Sequence, residues 1–147
     1  MTPEKFSYLH PLTVRYGDLD PQGHVNNAVY LSYLESARLG YYEKSGIWTP
    51  TSTGTTGMVV VRIEIDYLAP IYFGQAVQVC LRMDRLGEKS LTFAFLIEAL
   101  QDRQAFARGL SVMAAYDNKT GKSRPIPAEW RAKLNRFEER EGYDDIA

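Results

Sequence analysis

The chain has 147 residues, 45% of them hydrophobic, with 11 Gly and 7 Pro, a composition that describes a single domain over residues 1–147 and excludes a disordered or low-complexity segment. A formal net charge of -1, from 17 Lys and Arg against 18 Asp and Glu, sets up no broad field for nucleic acid or an anionic membrane. The single cysteine, Cys80, excludes an intramolecular disulfide or a cysteine-based zinc cluster and points to the reducing cytoplasm, and no window offers the roughly 18 uninterrupted apolar residues of a membrane span or the core of a signal peptide.

In chain order, alternation over Leu12–Tyr16 predicts a brief strand that ends at Gly17 and the acidic turn Asp18-Leu19-Asp20-Pro21-Gln22-Gly23. Asn26 or Asn27 then caps a helix in which Tyr30, Leu34, Ala37 and Tyr41 share one face, running to about Ser45 with Gly46 as its left-handed end. Thr49 to Gly57 is too rich in Thr and Gly to pack and reads as a flexible connection or a lid. The period then changes to two. Val61, Ile63, Ile65 and Tyr67 face one way against Arg62, Glu64 and Asp66, and Pro70 breaks the run. Val77, Val79, Leu81 and Met83 repeat the pattern against Gln78, Cys80, Arg82 and Asp84, and Leu91, Phe93, Phe95 and Ile97 repeat it again. Short turns at Gly87-Glu88 and Gln101-Asp102-Arg103 predict antiparallel hairpins.

The last strand, Ala105 to Asp117, carries mostly small residues on one face, which would let the long helix approach closely. After a turn at Asn118–Gly121, a short amphipathic helix from Pro127 presents Trp130, Leu134 and Phe137. The predicted class is α+β, one long helix against an antiparallel sheet of about five strands, with the charged sheet face solvated or covered by a second subunit.

Several chemistries drop out. The loop from Asp18 lacks the glutamate a calcium loop needs at its end, where Val29 stands; Gly121-Lys122-Ser123 lacks the first glycine of a phosphate loop; and there is no G-x-S-x-G elbow. Cys80, mid-strand, is a packing residue, and two His with one Cys supply no metal cluster. What remains is Asp18, Asp20, His24, Asn26 and Asn27, directly before a helix start. Singly, each fits an Asx-rich turn and cap. Together they place a carboxylate beside free backbone N–H groups, the base and the anion-stabilising pocket that acyl transfer requires.

The stretch from Val14 to Arg38, VRYGDLDPQGHVNNAVYLSYLESAR, resembles the signature of the hotdog-fold acyl-CoA thioesterases of the 4-hydroxybenzoyl-CoA thioesterase type, joining the D-x-D turn, the G-H-V-N-N helix start and the Tyr, Glu and Arg spacing of the helix. The resemblance implies a helix wrapped by an antiparallel sheet, a homodimer or homotetramer with the active site between two chains, no cofactor, and acyl-CoA as substrate. By position it makes Asp20 the catalytic carboxylate, nucleophile or general base, leaves Asp18 auxiliary or structural, and puts Asp18 and Asn26 among the substrate-binding residues. The backbone N–H near Asn27 then polarises the thioester carbonyl. Asn27 stands where the aromatic-substrate branch has tyrosine, which resembles the fatty acyl branch. His24 either ties the turn to the helix or acts on Asp20. Lys89-Ser90, with Arg85 beside them, resembles a Lys-Ser step that binds CoA phosphates, and reads equally as a solvated hairpin turn. Glu35 and Arg38, three apart on the helix, are a structural pair. The rivals to thioester hydrolysis are a non-catalytic acyl-CoA or acyl-carrier binding module, an acyl-carrier-protein thioesterase, and a hydratase whose His-containing motif is not evident. Asp20 favours hydrolysis, because a binding module gains nothing from a carboxylate beside an electrophilic carbonyl.

Overall fold

The computed structural model describes residues 5–140, so the two ends of the expected 1–147 domain lie outside the described residues. The elements are β1 (Tyr8–Thr13), a 3₁₀ turn (Tyr16–Asp18), α1 (Val29–Ser45), β2 (Thr56–Tyr67), β3 (Ala76–Leu86), β4 (Ser90–Ala99), β5 (Ala105–Asp117) and α2 (Ala128–Arg140). All the strands pair antiparallel in the order β1-β3-β4-β5-β2. β3, β4 and β5 form a meander joined by short turns, while α1 carries the chain from one edge of the sheet to the other. One long helix against a five-stranded antiparallel sheet is the architecture the resemblance implies.

The predicted helical stripe is the core of the interface. Tyr30, Leu34, Ala37 and Tyr41 are all buried against Val77, Val79, Leu81 and Met83 of β3 and Leu91, Phe93, Phe95 and Ile97 of β4. The Tyr41 ring stands edge-on to Phe93 and to Phe137 of α2 at 4.7 and 4.9 Å, pairings worth about 0.5–1.5 kcal/mol each beyond their burial. Its hydroxyl donates to Glu138 Oε1 at 2.8 Å, and the Met83 N–H donates to the same oxygen, which ties α2 to both α1 and β3. Burial pushes the Glu138 carboxyl up against these hydrogen bonds.

Five expectations are corrected. The first strand is Tyr8–Thr13, because the ladder to β3 ends where Thr13 meets Ala76 and the chain then winds into the 3₁₀ turn; Pro11 is tolerated because β1 is an edge. The helix starts at Val29 with no side-chain cap, and Asn26 instead makes an Asx turn one step earlier, its Oδ1 accepting the Ala28 N–H at 2.9 Å. In β2 a register shift between Val60 and Arg62 turns Val61 outward, 58% exposed, while Ile63 and Ile65 keep the inward face. The helix makes its tight approach to β1 rather than to the small-residue face of β5: a Cβ on Gly40 would lie 2.0 Å from the Tyr8 hydroxyl. Gly109 of β5 serves its own sheet neighbour, since a Cβ there would lie 1.9 Å from the Glu64 carbonyl oxygen.

The fifth concerns the outer sheet face, which is not uniformly wet. Gln78, Cys80 and Glu98 are buried there, with Gln78 Nε2 donating to Glu98 Oε1 at 2.9 Å and Arg103 Nη2 at 3.2 Å from the same oxygen. β3 is flanked by β1 and β4, so the side chains of three strands close over this spot. Burial, with the Glu98 charge, pushes the Cys80 thiol up to about 12, in keeping with its packing role. The expected Glu35–Arg38 pair acts only through space: Arg38 is buried, and its Nη1 has no partner among the described residues.

Candidate active site

The loop between β1 and α1 is built as a miniature hairpin. Leu19 and Val25 bridge, the Asp20 N–H donates to the His24 carbonyl at 2.9 Å, and the Gly23 N–H closes back on the Asp20 carbonyl at 3.0 Å. Asp at the first turn position, Pro21 at the second and Gly23 with φ 86° at the fourth are the residues such a turn favours. A second bridge, His24 to Tyr72, and the bond from the Val25 N–H to the Ile71 carbonyl at 2.8 Å lash the loop to the segment between β2 and β3.

The two aspartates then part company. Asp18 is 3% exposed and accepts from the Arg15 N–H at 2.9 Å, the Tyr33 hydroxyl of α1 at 2.8 Å and the Arg15 guanidinium at 3.4 Å. Burial disfavours its charge, but these hydrogen bonds and the Arg15 charge outweigh burial and hold the carboxyl below its ordinary value. The Asp18 carbonyl also accepts the Asn26 N–H at 2.9 Å. Asp18 is a clamp between loop and helix.

Asp20 is 22% exposed, with Oδ1 held by the Gln22 N–H at 2.9 Å and Oδ2 lying 3.7 Å from His24 Nδ1. It lines a cleft of about 440 Å³ together with His24, Asn27, Tyr30, Tyr67 and the apolar run Leu68-Ala69-Pro70. The Asn27 N–H donates to no acceptor among the described residues, while the Asn27 carbonyl accepts the Tyr67 hydroxyl at 2.9 Å. His24 lies within reach of Gln22 Oε1 at 3.1 Å and the Val25 carbonyl at 3.5 Å, both inside the loop.

One cleft therefore gathers Asp20, His24 and Asn27, with Asp18 and Asn26 behind it. Arg85, Lys89 and Ser90 are elsewhere. They surround the β3–β4 hairpin, and β4 separates that turn from the cleft end of the sheet by its 10 residues, about 30 Å. Tyr67, which pins Asn27 and stacks edge-on against Tyr30 at 5.0 Å, escaped the sequence reading because alternation placed it among inward-facing core residues. Its position as the last residue of a strand was the available signal. Among the described residues no three His, Cys, Asp or Glu side chains converge as a metal site, and no helix is long and apolar enough to cross a membrane.

A sheet wrapped on one helix, with an aspartate beside the Asn27 N–H, which has no acceptor among the described residues, at that helix's start, defines an acyl-transfer class of site. The chain belongs to the thioesterase-like superfamily, whose family model matches residues 14–134, and it has the hotdog fold of that superfamily and is a thioester hydrolase. It is 31% identical to the long-chain acyl-CoA thioesterase FadM of Escherichia coli over 86% of this chain and 96% of that one. Among solved structures it is similar to a thioesterase from Thermus thermophilus complexed with coenzyme A and Zn, with 38% identity, a TM-score of 0.80 and coverage of 94% and 98% of the two chains. The PA2801 protein of Pseudomonas aeruginosa is similar as well, with 31% identity, a TM-score of 0.79 and coverage of 88% and 99%.

The Asp18 clamp has a signed pH signature. Its folded-state value lies below the unfolded one, so the stability it contributes is present above the unfolded carboxylate value and is lost as pH falls through the folded value. Asp18→Asn keeps one oxygen for the Arg15 N–H and the Tyr33 hydroxyl but turns the other acceptor into a donor facing the Arg15 guanidinium and removes the charge, and it is expected to cost about 1–3 kcal/mol near neutral pH, with a smaller cost in acid. Urea midpoints of both proteins across the acid range check this; a penalty independent of pH would show that the charge of Asp18 contributes nothing.

Proposed function

We propose that the protein hydrolyses fatty acyl-CoA to the free acid and CoA in the cytoplasm, as a homo-oligomer of the 4-hydroxybenzoyl-CoA thioesterase type. The observation that carries the reading is the shared cleft: Asp20 and Asn27, whose N–H has no acceptor among the described residues, line one space with Tyr30, Leu68, Ala69 and Pro70. Its support from relatives is the acyl-CoA thioesterase FadM and the thioesterase bound to coenzyme A.

In this mechanism the thioester carbonyl oxygen accepts from the Asn27 N–H at the start of α1, where the helix dipole favours developing negative charge. Asp20 Oδ2 takes a proton from water, which attacks the carbonyl carbon. The C–S bond then breaks, and the proton passes to the leaving CoA thiolate. As a nucleophile, the same oxygen would form a mixed anhydride that water opens; both routes consume one water and no other reactant. His24, 3.7 Å from that oxygen, orients it. The Tyr67 hydroxyl holds the Asn27 peptide, so it is a positioning residue. Because the Arg85, Lys89 and Ser90 turn lies at the far end of the sheet in its own chain, its contact with CoA phosphates is made across a subunit interface.

Asp20→Asn keeps the Asx turn, since Asn forms it equally well, and removes the basic oxygen. Turnover of acyl-CoA, followed by thiol release, is expected to fall by about 10²–10⁴-fold with the melting temperature unchanged, and Asp18→Asn is expected to cost far less in rate. An Asp20→Asn protein keeping more than about a tenth of wild-type kcat/KM, against that 10²-fold minimum, would refute the assignment.

Tyr67→Phe removes a hydrogen bond worth about 0.5–1.5 kcal/mol, so kcat is expected to drop about two- to tenfold while KM stays put. Wild-type kcat in this variant would reduce Tyr67 to a wall of the cleft.

Sharing of the site between chains is tested by mixing. Asp20→Asn and Lys89→Glu subunits, each defective alone, are expected on co-refolding to recover roughly a quarter of wild-type activity, because statistical pairing makes half the dimers mixed and each of these holds one intact site. No recovery would place Asp20 and Lys89 in the same site of one chain or in none.

A further inference from the structure

The loop between β3 and β4, Gly87-Glu88-Lys89, is shaped by its neighbours. Short hairpin loops ordinarily take a positive φ to match the twist of their strands, yet none of these three residues has one. Within the hairpin, the Gly87 N–H donates to the Ser90 carbonyl at 2.8 Å. The other bonds come from outside it. Arg131, in the first turn of α2, donates from Nη2 to the Gly87 carbonyl at 2.7 Å and to the Glu88 carbonyl at 3.3 Å. The Ile126 N–H also donates to the Glu88 carbonyl, at 2.9 Å, and the Ala115 N–H of β5 donates to the Lys89 carbonyl at 2.8 Å.

A trans peptide points its C=O and N–H in opposite directions, and the described residues contain no cis bond. With the Gly87 and Glu88 carbonyls drawn toward Arg131, the Glu88 and Lys89 N–H groups are turned away from it, and neither donates to an acceptor among the described residues. Two successive free N–H groups in a turn make a concavity for an anion, and Lys89, exposed on the same loop, adds a cation. The Glu88 side chain is exposed as well, where water and salt screen its charge. We propose that Arg131 is a positioning residue for coenzyme A, holding this loop in the form that presents the Glu88 and Lys89 N–H groups as a nest for one CoA phosphate. The inference rests on the acyl-CoA reading of this hairpin and adds to it a backbone contact and the α2 side chain that sets it.

Calorimetric titration of the full chain with CoA, and with pantetheine, which lacks the nucleotide and its phosphates, isolates this contact and needs no turnover. Arg131→Gln is expected to weaken CoA about tenfold, the scale of one charge-assisted hydrogen bond, and to leave pantetheine unchanged. Arg131 also braces α2, so a second variant leaves it in place. Glu88→Pro removes a nest donor that holds no partner among the described residues, at a position whose φ is not positive, and Glu88→Gln removes the same charge while keeping the donor. Charge alone predicts that the two bind CoA alike; the nest predicts that Glu88→Pro binds it about tenfold more weakly than Glu88→Gln. Equal CoA affinity in those two variants would overturn the proposal. So would an Arg131→Gln protein that binds CoA as the wild type does, or that loses CoA and pantetheine in equal measure. A wild type that cleaves acyl-CoA yet binds CoA no tighter than pantetheine sinks the nest and leaves hydrolysis standing; a chain with the expected CoA pattern that cleaves no acyl-CoA does the opposite.

Discussion

A buried carboxylate holds the working end of the molecule together. Asp18 has almost no contact with solvent, and burying a charge is expensive unless every lone pair finds a donor. Here the donors come from both sides: Arg15 on the loop and Tyr33 from the second turn of α1. The loop therefore cannot shift relative to the helix without stranding a charge. Two residues on, Asp20 inherits a defined place at the start of α1 while remaining partly open to solvent. The same residue type thus serves two ends, because one copy faces inward to donors and the other outward to a cleft.

The strand order supplies the rest of that cleft. By carrying the chain from β1 across to β2 at the opposite edge, α1 brings the end of β2 alongside its own first turn, where Tyr67 meets Tyr30 edge-on and its hydroxyl reaches the Asn27 carbonyl. The apolar wall of Leu68 to Pro70 follows from the same crossing. β2 is also an outer strand with exposed Val60 and Val61, an edge with free hydrogen-bonding groups of the kind that natural proteins cover. A site completed by a neighbouring chain, as proposed, would use that edge.

Away from the cleft, two buried carboxylates organise packing. Glu98 collects Gln78 and Arg103 across β3, β4 and the following turn, and Glu138 collects Tyr41 and the Met83 N–H across α1, α2 and β3. Networks of this kind penalise any slip of register, because a shift by one residue leaves a buried acceptor unpaired. The cavity lined by Trp48 and Trp130 between α1 and α2 exists because Glu138 and the Phe137 contact with Tyr41 hold α2 at the end of α1.

Local chemistry was legible in the chain. The 3.6 and 2 periods announced α1 and the meander because burial of one face repeats at the period of the backbone, and Gly46 marked the left-handed end of the helix. The D-L-D-P-Q-G turn and the helix start after it are also local, so Asp20, His24 and Asn27 could be named together from a dozen consecutive residues. What no local pattern encodes is which of two aspartates is buried, since that depends on a tyrosine 15 residues away, or that Tyr67 closes on Asn27 from 40 residues away. The bulge that turns Val61 outward arises where β2 must match β5, and the buried acids of the outer face arise where three strands converge. Each is settled by the neighbours a residue meets in space, and those neighbours exist only once the sheet has closed around the helix.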